Sequence, residues 1–502
     1  MSSTSCKLPK VDSELAKGSQ MPDLAWLSSR RVLRFLAALS LGASLLLMGG
    51  GCGDEGGGGA GGSMDGGGGV GGEGGDGGEA GGGGGGDTFP EEAPTVLSFK
   101  TGLEARELAI LVNDQDPQSV AVAAYYQERR GIPAENVIHL SFPTTGQQNI
   151  GREAFAEHFA EALANTPATI QAYAVSWTHP SRVDCMSLTT AVAFGAFDTD
   201  FCNTSDQTCA PTKASLYYGS SSVAPYDDWK IRPTMMLAGE SLDEVKALID
   251  RGIASDDTRP TGEGWMVSTS DGARNVRFSA PMQEGGAQHE ILESALGHDD
   301  GLRFTFVDNA SGEGSNAIEG EEDVLFYFTG LTTVPSIETN TYLPGAVADH
   351  LTSFGGSIPA GSQMSVIEWL QAGVTASYGT LREPCNYRTK FPFIPLMVAN
   401  YFQGATVVEA YWKSVAWPGE GLFVGEPLAR PWGNPKIVYD EGRLTIETTS
   451  LTPGQVYQLD AGDSAEGPWT TVLGTIRVER YGRHTLQVER AVAPFYRLVP
   501  RQ

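Results

Sequence analysis

Positive charge is what this chain has least of. Lys and Arg number 34 against 61 Asp and Glu, a formal net charge of −27 at pH 7. That balance excludes nucleic acid as a partner and excludes electrostatic docking on anionic lipid, since both need a cationic face. Cysteine is sparse too. The six present contain no CxxC pair and no His–Cys cluster at zinc-ligand spacing, so no structural metal is expected. No apolar run is long enough to span a bilayer comfortably, which takes about 20 residues. Glycine is abundant, but the run from Gly53 to Gly86 has no strand before it and no helix after it. It therefore lacks the framework of a phosphate-binding loop, and no cofactor is expected.

What is present at the N-terminus has the layout of an export signal. Arg30, Arg31 and Arg34 flank the apolar stretch Phe35–Met48, and Gly49-Gly50-Gly51 then leads to Cys52. A Cys placed this way resembles a bacterial lipobox, in which the thiol is lipidated. Gly49 departs from that motif, which prefers Leu, and the alternative is an ordinary signal peptide with an incidental Cys. Met1–Gln20 is polar and lies upstream of any normal n-region, so Met21 is a candidate start; Ser29-Arg30-Arg31 hints at twin-arginine export. The expected partner is a membrane, reached through lipid on Cys52, with the protein exported to the periplasm or cell surface. Residues 53–90 hold too little apolar side chain to offset their ordering entropy and read as a disordered tether. A coil of that length spans about 30–35 Å root-mean-square.

Four cysteines remain in the body: Cys185, Cys202, Cys209 and Cys385. An even number in an oxidising compartment suggests disulfides. Cys202 and Cys209 bracket a short polar loop and form the expected local bridge, which leaves Cys185 with Cys385. Two other connectivities stay open.

Along the body, apolar runs alternate with helical periodicity. Glu107–Val112 reads as a strand, Ser119–Arg130 as a helix stopped at Gly131-Ile132-Pro133, and Asn136–Leu140 as a second strand, which together make a βαβ unit. The alternation continues to Asp323–Phe328, an almost wholly apolar strand. It implies a mostly parallel sheet covered by helices on both faces. After Pro431 the pattern changes to short strands of alternating polarity, from Lys436–Val438 to Phe495–Val499, expected to form a small antiparallel β-sandwich. The expected division is a leader over 1–52, a tether over 53–90, an α/β domain over 91–431 and a sandwich over 432–502.

Parallel sheets hold ligands outside the carboxyl ends of their strands. The segments ending there carry the candidate site residues. Asp349, His350 and Ser353 follow one strand, and Glu383 and Cys385 the next. His350 as general base, Ser353 or a water as nucleophile and Glu383 as orienting carboxylate would make a hydrolase. The structural alternative has His350 tied to neighbouring backbone. Asp349, His350 and Glu383 are also chemically suited to a divalent metal, although their spacing matches no metal motif. Asn113, Asp116, His179, Arg182 and Asp349 are candidate ligand contacts, with helix capping and internal ion pairing as the competing roles. Tyr411, Trp412 and Trp417 read as core packing.

Several blocks together carry a resemblance. LAILVNDQDPQSVAVAAYYQERRGIPAENVIHL, MSLTTAVAFG, RPTMMLA, PGAVADHLTSFGG, WLQAGVTASYGTLREPC and EAYWKSVAWPG resemble a family of exported bacterial proteins with no established activity, from about Thr95 to Arg430. Some members carry a C-terminal sorting anchor. This chain ends in PFYRLVPRQ, so its anchor is expected at the N-terminus. More distantly, the body is similar to gingipain-like and caspase-like peptidases, in which one central strand ends in a catalytic His and the next in the nucleophilic Cys. The corresponding positions here read Thr329-Gly330 and Asp349-His350. The resemblance implies a shared architecture without the Cys–His dyad, and a binding role for an unidentified surface ligand or substrate.

Overall fold

Local chemistry sets the helix boundaries before any packing does. The first crossover helix, Pro117–Arg130, begins with Pro in its first turn, is capped by Asp116 Oδ1 accepting from the Gln118 N–H at 2.9 Å, and stops where Gly131 adopts a left-handed conformation. The computed structural model describes residues 89–204, 209–278, 287–298 and 301–501. The leader, Cys52 and almost all of the Gly-rich segment lie outside them. Among the described residues no helix is long and apolar enough to cross a membrane.

In chain order the body runs β1 (Thr95–Ser98), β2 (Leu108–Asn113), α1 (Pro117–Arg130), β3 (Val137–Leu140), α2 (Arg152–Asn165) and β4 (Ala172–Val175). A small hairpin, β5 (Arg182–Val183) with β6 (Met186–Ser187), and the short helices α3 (Leu188–Phe194) and α4 (Pro225–Trp229) precede β7 (Thr234–Met236). Next come α5 (Leu242–Ser255), β8 (Gly262–Ser268), α6 (Gln288–Leu296), β9 (Leu302–Asp308), β10 (Val324–Thr329) and β11 (Tyr342–His350). The remainder is α7 (Val366–Gln371), β12 (Ala376–Thr380), α8 (Ile394–Phe402), α9 (Val407–Ser414) and β13 (Gly421–Gly425).

These strands form one ten-stranded sheet in the order β3-β2-β4-β7-β13-β12-β11-β10-β8-β9. Its core strands β2, β4, β10 and β12 are buried along their whole length, as a sheet covered on both faces requires. Strands β2, β3, β4 and β7 and strands β8 to β12 run in one direction. Arg251, near the end of α5, donates from Nη2 to Leu370 O and Val374 O at 3.1 and 2.7 Å, which places the entrance to β12 at the edge where β2 and β7 begin. β13 runs against the rest. It pairs antiparallel with β12 from Ala376–Gly425 to Thr380–Gly421. Its beginning receives Thr189 Oγ1 at Gly421 O, and past its end Glu426 meets Arg130 and Tyr126 at the end of α1. The single bridge of Val424 to Met236 of β7 has a parallel hydrogen-bond pattern. One bridge fixes no direction; the contacts at both ends of β13 do.

The C-terminal strands are β14 (Lys436–Asp440), β15 (Arg443–Thr448), β16 (Val456–Gly462), β17 (Trp469–Arg477), β18 (His484–Val488) and β19 (Phe495–Pro500). They build two sheets, β14-β15-β18 and β1-β19-β16-β17, which share a core of Leu444, Ile446, Tyr457, Leu459 and Leu498. The antiparallel strand pairing expected after Pro431 is present in both sheets. β1 joins this unit from the other end of the sequence, pairing parallel with β19 from Thr95–Phe495 to Ser98–Leu498. Alternation alone does not reveal a partner nearly 400 residues away.

The cysteine pairing also differs from expectation. The bridges are Cys185–Cys202 and Cys209–Cys385, with Cα separations of 5.6 and 5.5 Å. Cys185 and Cys202 are both buried in the same apolar cluster, beside Phe201 and Val183, whereas Cys209 lies on the exposed side. Burial thus separates Cys202 from its sequence neighbour.

Candidate functional site

A chain of hydrogen bonds runs along the carboxyl edge of the sheet and gathers the expected loops there. Asn113, at the end of β2, donates from Nδ2 to Phe142 O (3.0 Å), beyond β3, and Ser119 Oγ lies 2.8 Å from Ser176 Oγ, just past β4. Thr178 Oγ1 donates to Gly239 O beyond β7 (2.8 Å), and Gln148 Nε2 reaches Ile358 O, beyond β11 (2.9 Å). On the other side of β13, Thr380 Oγ1 donates to Thr352 O and Ser353 O (2.9 and 3.0 Å), and Thr269 Oγ1 to Gly330 O (2.7 Å). The ends of β2, β4, β10, β11 and β12 therefore share one edge, where a parallel sheet presents its ligand-binding groups.

Sharing an edge does not make these residues one open site. His350 is fully buried. Its Nδ1 accepts the indole N–H of Trp369 at 2.9 Å, a residue placed by α7, whose start is fixed by a capping box between Ser365 and Glu368. A Cβ built on Gly355 would meet His350 Cε1 at 3.5 Å, so the backbone itself closes over the ring. Nε2 makes no hydrogen bond of acceptable geometry, although the Met364 backbone is close enough to favour a protonated ring. Burial dominates: it pushes the imidazole down to about 3, helped by repulsion from Arg277 and Arg274. The ring is neutral at every pH at which a general base is useful.

Asp349 is equally buried and points to a partner of its own. Arg277, only 1% exposed, brings Nη2 to 2.5 Å from Asp349 Oδ1. The contact is an ion pair by distance, while neither group meets hydrogen-bond angles. Burial holds the Asp349 carboxyl above its usual range, outweighing the attraction of the guanidinium. The loop carrying Arg277 lies across the end of β10. Arg274 Nε donates to Thr352 Oγ1 at 3.0 Å, and a Cβ on Gly330 would stand 2.0 Å from Arg274 O. Backbone and an arginine from this loop thus cover the strand ends there.

The remaining candidates are occupied in different ways. Glu383 is exposed, and its carboxylate folds back onto the Cys385 N–H at 2.9 Å, beside the Cys209–Cys385 bridge, instead of orienting His350. Ser353 is half-buried, and no hydrogen bond among the described residues joins it to His350. Among the described residues no group of three His, Cys, Asp or Glu is arranged to hold a metal ion, so Asp349, His350 and Glu383 do not form a ligand set. Asn113 is buried, with Oδ1 accepting from the N–H groups of Gln115 and Phe142. Asp116 caps α1. His179 is half-buried, and burial lowers its affinity for a proton against the attraction of Asp116. Arg182 lies in the β5–β6 hairpin, next to Asp184, whose carboxylate pairs with Arg152 at 2.5 Å. Tyr411 and Trp412 are fully buried core, while Trp417 packs half-buried against Tyr387 at 5.4 Å.

Sequence reasoning missed Trp369 and Arg277, the two residues that decide the character of the strand ends. Trp369 sits in an ordinary amphipathic turn. Arg277 carries no signal at all, because a buried arginine and a surface arginine are the same letter.

No family model and no curated protein matches this sequence. Among solved structures, a chain described as a protease superposes on 78% of this chain and 98% of its own, at 9% identity and a TM-score of 0.38. A complex of the pro- and mature domains of Porphyromonas gingivalis RgpB superposes on 79% and 99%, at 10% identity and a TM-score of 0.35. Similarity this loose carries no inference about chemistry, and the strand-end geometry has to speak for itself.

Proposed function

We propose that this is an exported, lipid-tethered binding protein, with a peptidase-like α/β body and no peptidase chemistry. The observation that carries the reading is the sealing of His350: fully buried, locked by Trp369, and pushed down to about 3. A general base must reach the proton it abstracts and must hold a proton near working pH, and His350 meets neither condition. Asp349 is committed to Arg277, and Glu383 to its own turn. The two disulfides suit an oxidising, extracytoplasmic compartment. Lipidation rests on Cys52 directly following the apolar stretch Phe35–Met48 and its glycines.

Two measurements test the reading. Replacing Cys52 with Ala is expected to move the protein from the membrane fraction to the soluble extract; unchanged membrane retention rejects the lipid anchor. Wild-type protein is expected to show no hydrolysis of peptide, ester or glycoside substrates above buffer. Turnover that disappears in His350→Ala or Ser353→Ala would establish the hydrolase instead.

A further inference from the structure

The helices α8 and α9, the segment that follows β1, the loop at 219–223 and loops between the C-terminal strands line an open cavity of about 230 Å³. Neither His350, Ser353 nor Glu383 lines it. Lys413, in the last turn of α9, does. That residue is 3% exposed, no hydrogen bond or ion pair joins its ammonium to another described residue, and burial lowers its affinity for a proton. Its ammonium faces the ring of Tyr217, 5.4 Å from Nζ to the centroid, and is attracted by the charge of Glu409. Glu409 is itself occupied elsewhere: Oε2 accepts from Leu103 N, Thr406 N and Thr406 Oγ1 at 2.9, 3.0 and 2.7 Å, and Oε1 faces the Tyr217 hydroxyl at 3.4 Å.

A buried ammonium stripped of hydrogen bonds is costly, and a methionine would fill the same space without that cost. The rest of the wall explains its use. Lys100, the second cation of the cavity, spends two donors on Glu107 Oε1 and Val223 O at 2.5 and 2.9 Å. It repels the Lys413 charge, so the two ammonium groups lie within each other's field with space between the walls that bear them. Asn400 and Gln403 contribute amides, Ser221 a hydroxyl at the exposed rim, and Phe99 an apolar surface.

We propose that this cavity binds a small hydroxylated carboxylate, with the carboxylate on Lys413 and the hydroxyls on the amide and hydroxyl wall. The volume falls below the ~300–1,000 Å³ of drug-sized sites and suits a single sugar acid or short hydroxy acid, not a peptide. The assignment rests on the binding-protein reading and supplies its ligand class.

Isothermal titration of the full-length protein with D-glucuronate, and with D-glucose as the neutral counterpart, tests it. Glucuronate is expected to bind and glucose to bind at least tenfold more weakly. Lys413→Met is expected to weaken glucuronate at least tenfold while the ligand-free protein stays folded by circular dichroism. Ser221→Trp, a rim substitution outside the core, is expected to block entry and keeps the test decisive if Lys413→Met fails to fold. Equal binding of both sugars, undiminished glucuronate binding in either folded variant, or no binding to wild type overturns the proposal. Those results leave the sealed His350 untouched, whereas turnover lost in His350→Ala would overturn the non-catalytic reading and leave the calorimetry standing.

Discussion

Acidification isolates the burial of His350 as a measurable energy. In the unfolded chain its imidazole takes up a proton as pH falls through about 6.5. In the folded protein it stays neutral until about 3. Between those values the unfolded state holds the extra proton, so stability rises with pH across the window. The contribution is complete above pH 6.5, falls as pH drops, and levels off near pH 3. One proton corresponds to about 1.4 kcal/mol per pH unit, so acidifying from pH 7 to 4.5 removes roughly 2–3 kcal/mol. His350→Gln keeps an acceptor for the Trp369 indole and cannot titrate. Urea unfolding of both proteins at half-unit steps from pH 7 to 4.5 gives the difference directly, because Asp349 and the other buried acids are common to both. The expected result is a wild-type curve that falls more steeply than the variant's by about 1.4 kcal/mol per pH unit below pH 6. Parallel curves, or an imidazole titrating near 6.5 by NMR, would refute the burial and reopen the base.

Three further outcomes follow from the packing. Peptide mapping of the non-reduced protein should recover Cys185–Cys202 and Cys209–Cys385, and a Cys202–Cys209 peptide would contradict the fold of that region. Arg277→Met should destabilise by about 3–5 kcal/mol by leaving Asp349 buried without its counter-charge, and Arg277→Met/Asp349→Leu should recover much of the loss in denaturant midpoint. Gly330→Ala should cost about 1–3 kcal/mol or displace the loop carrying Arg274, read as lower thermal stability, because the added methyl would meet the Arg274 carbonyl; a neutral result would show that the loop does not lie across the strand end.

The strand and helix assignments were legible because they rest on local rules. The βαβ unit from Leu108 to Leu140 follows from an apolar run, a Pro-initiated helix and a Gly stop. The buried part of the strand that ends at His350 follows from the apolar letters Ala346-Val347-Ala348. One edge for the site loops follows from parallel pairing. Topology was less legible. β13 is five residues long, and nothing in Gly421–Gly425 announces that it lies antiparallel in the centre of the sheet. β1 pairs with β19 across the whole body.

The sequence by itself determined the acidic charge balance, the alternation of elements and the edge at which polar residues collect. Each of these depends on composition or on neighbours a few residues apart. Only the tertiary structure decided what those residues can do. Protonation, accessibility and pairing are set by groups distant along the chain: Arg277 for Asp349, Trp369 for His350, and the seam of helices and C-terminal sheets for Lys413. Burial is a property of the assembled body. It sealed the most suggestive histidine from solvent, and it left an inconspicuous lysine lining an open cavity.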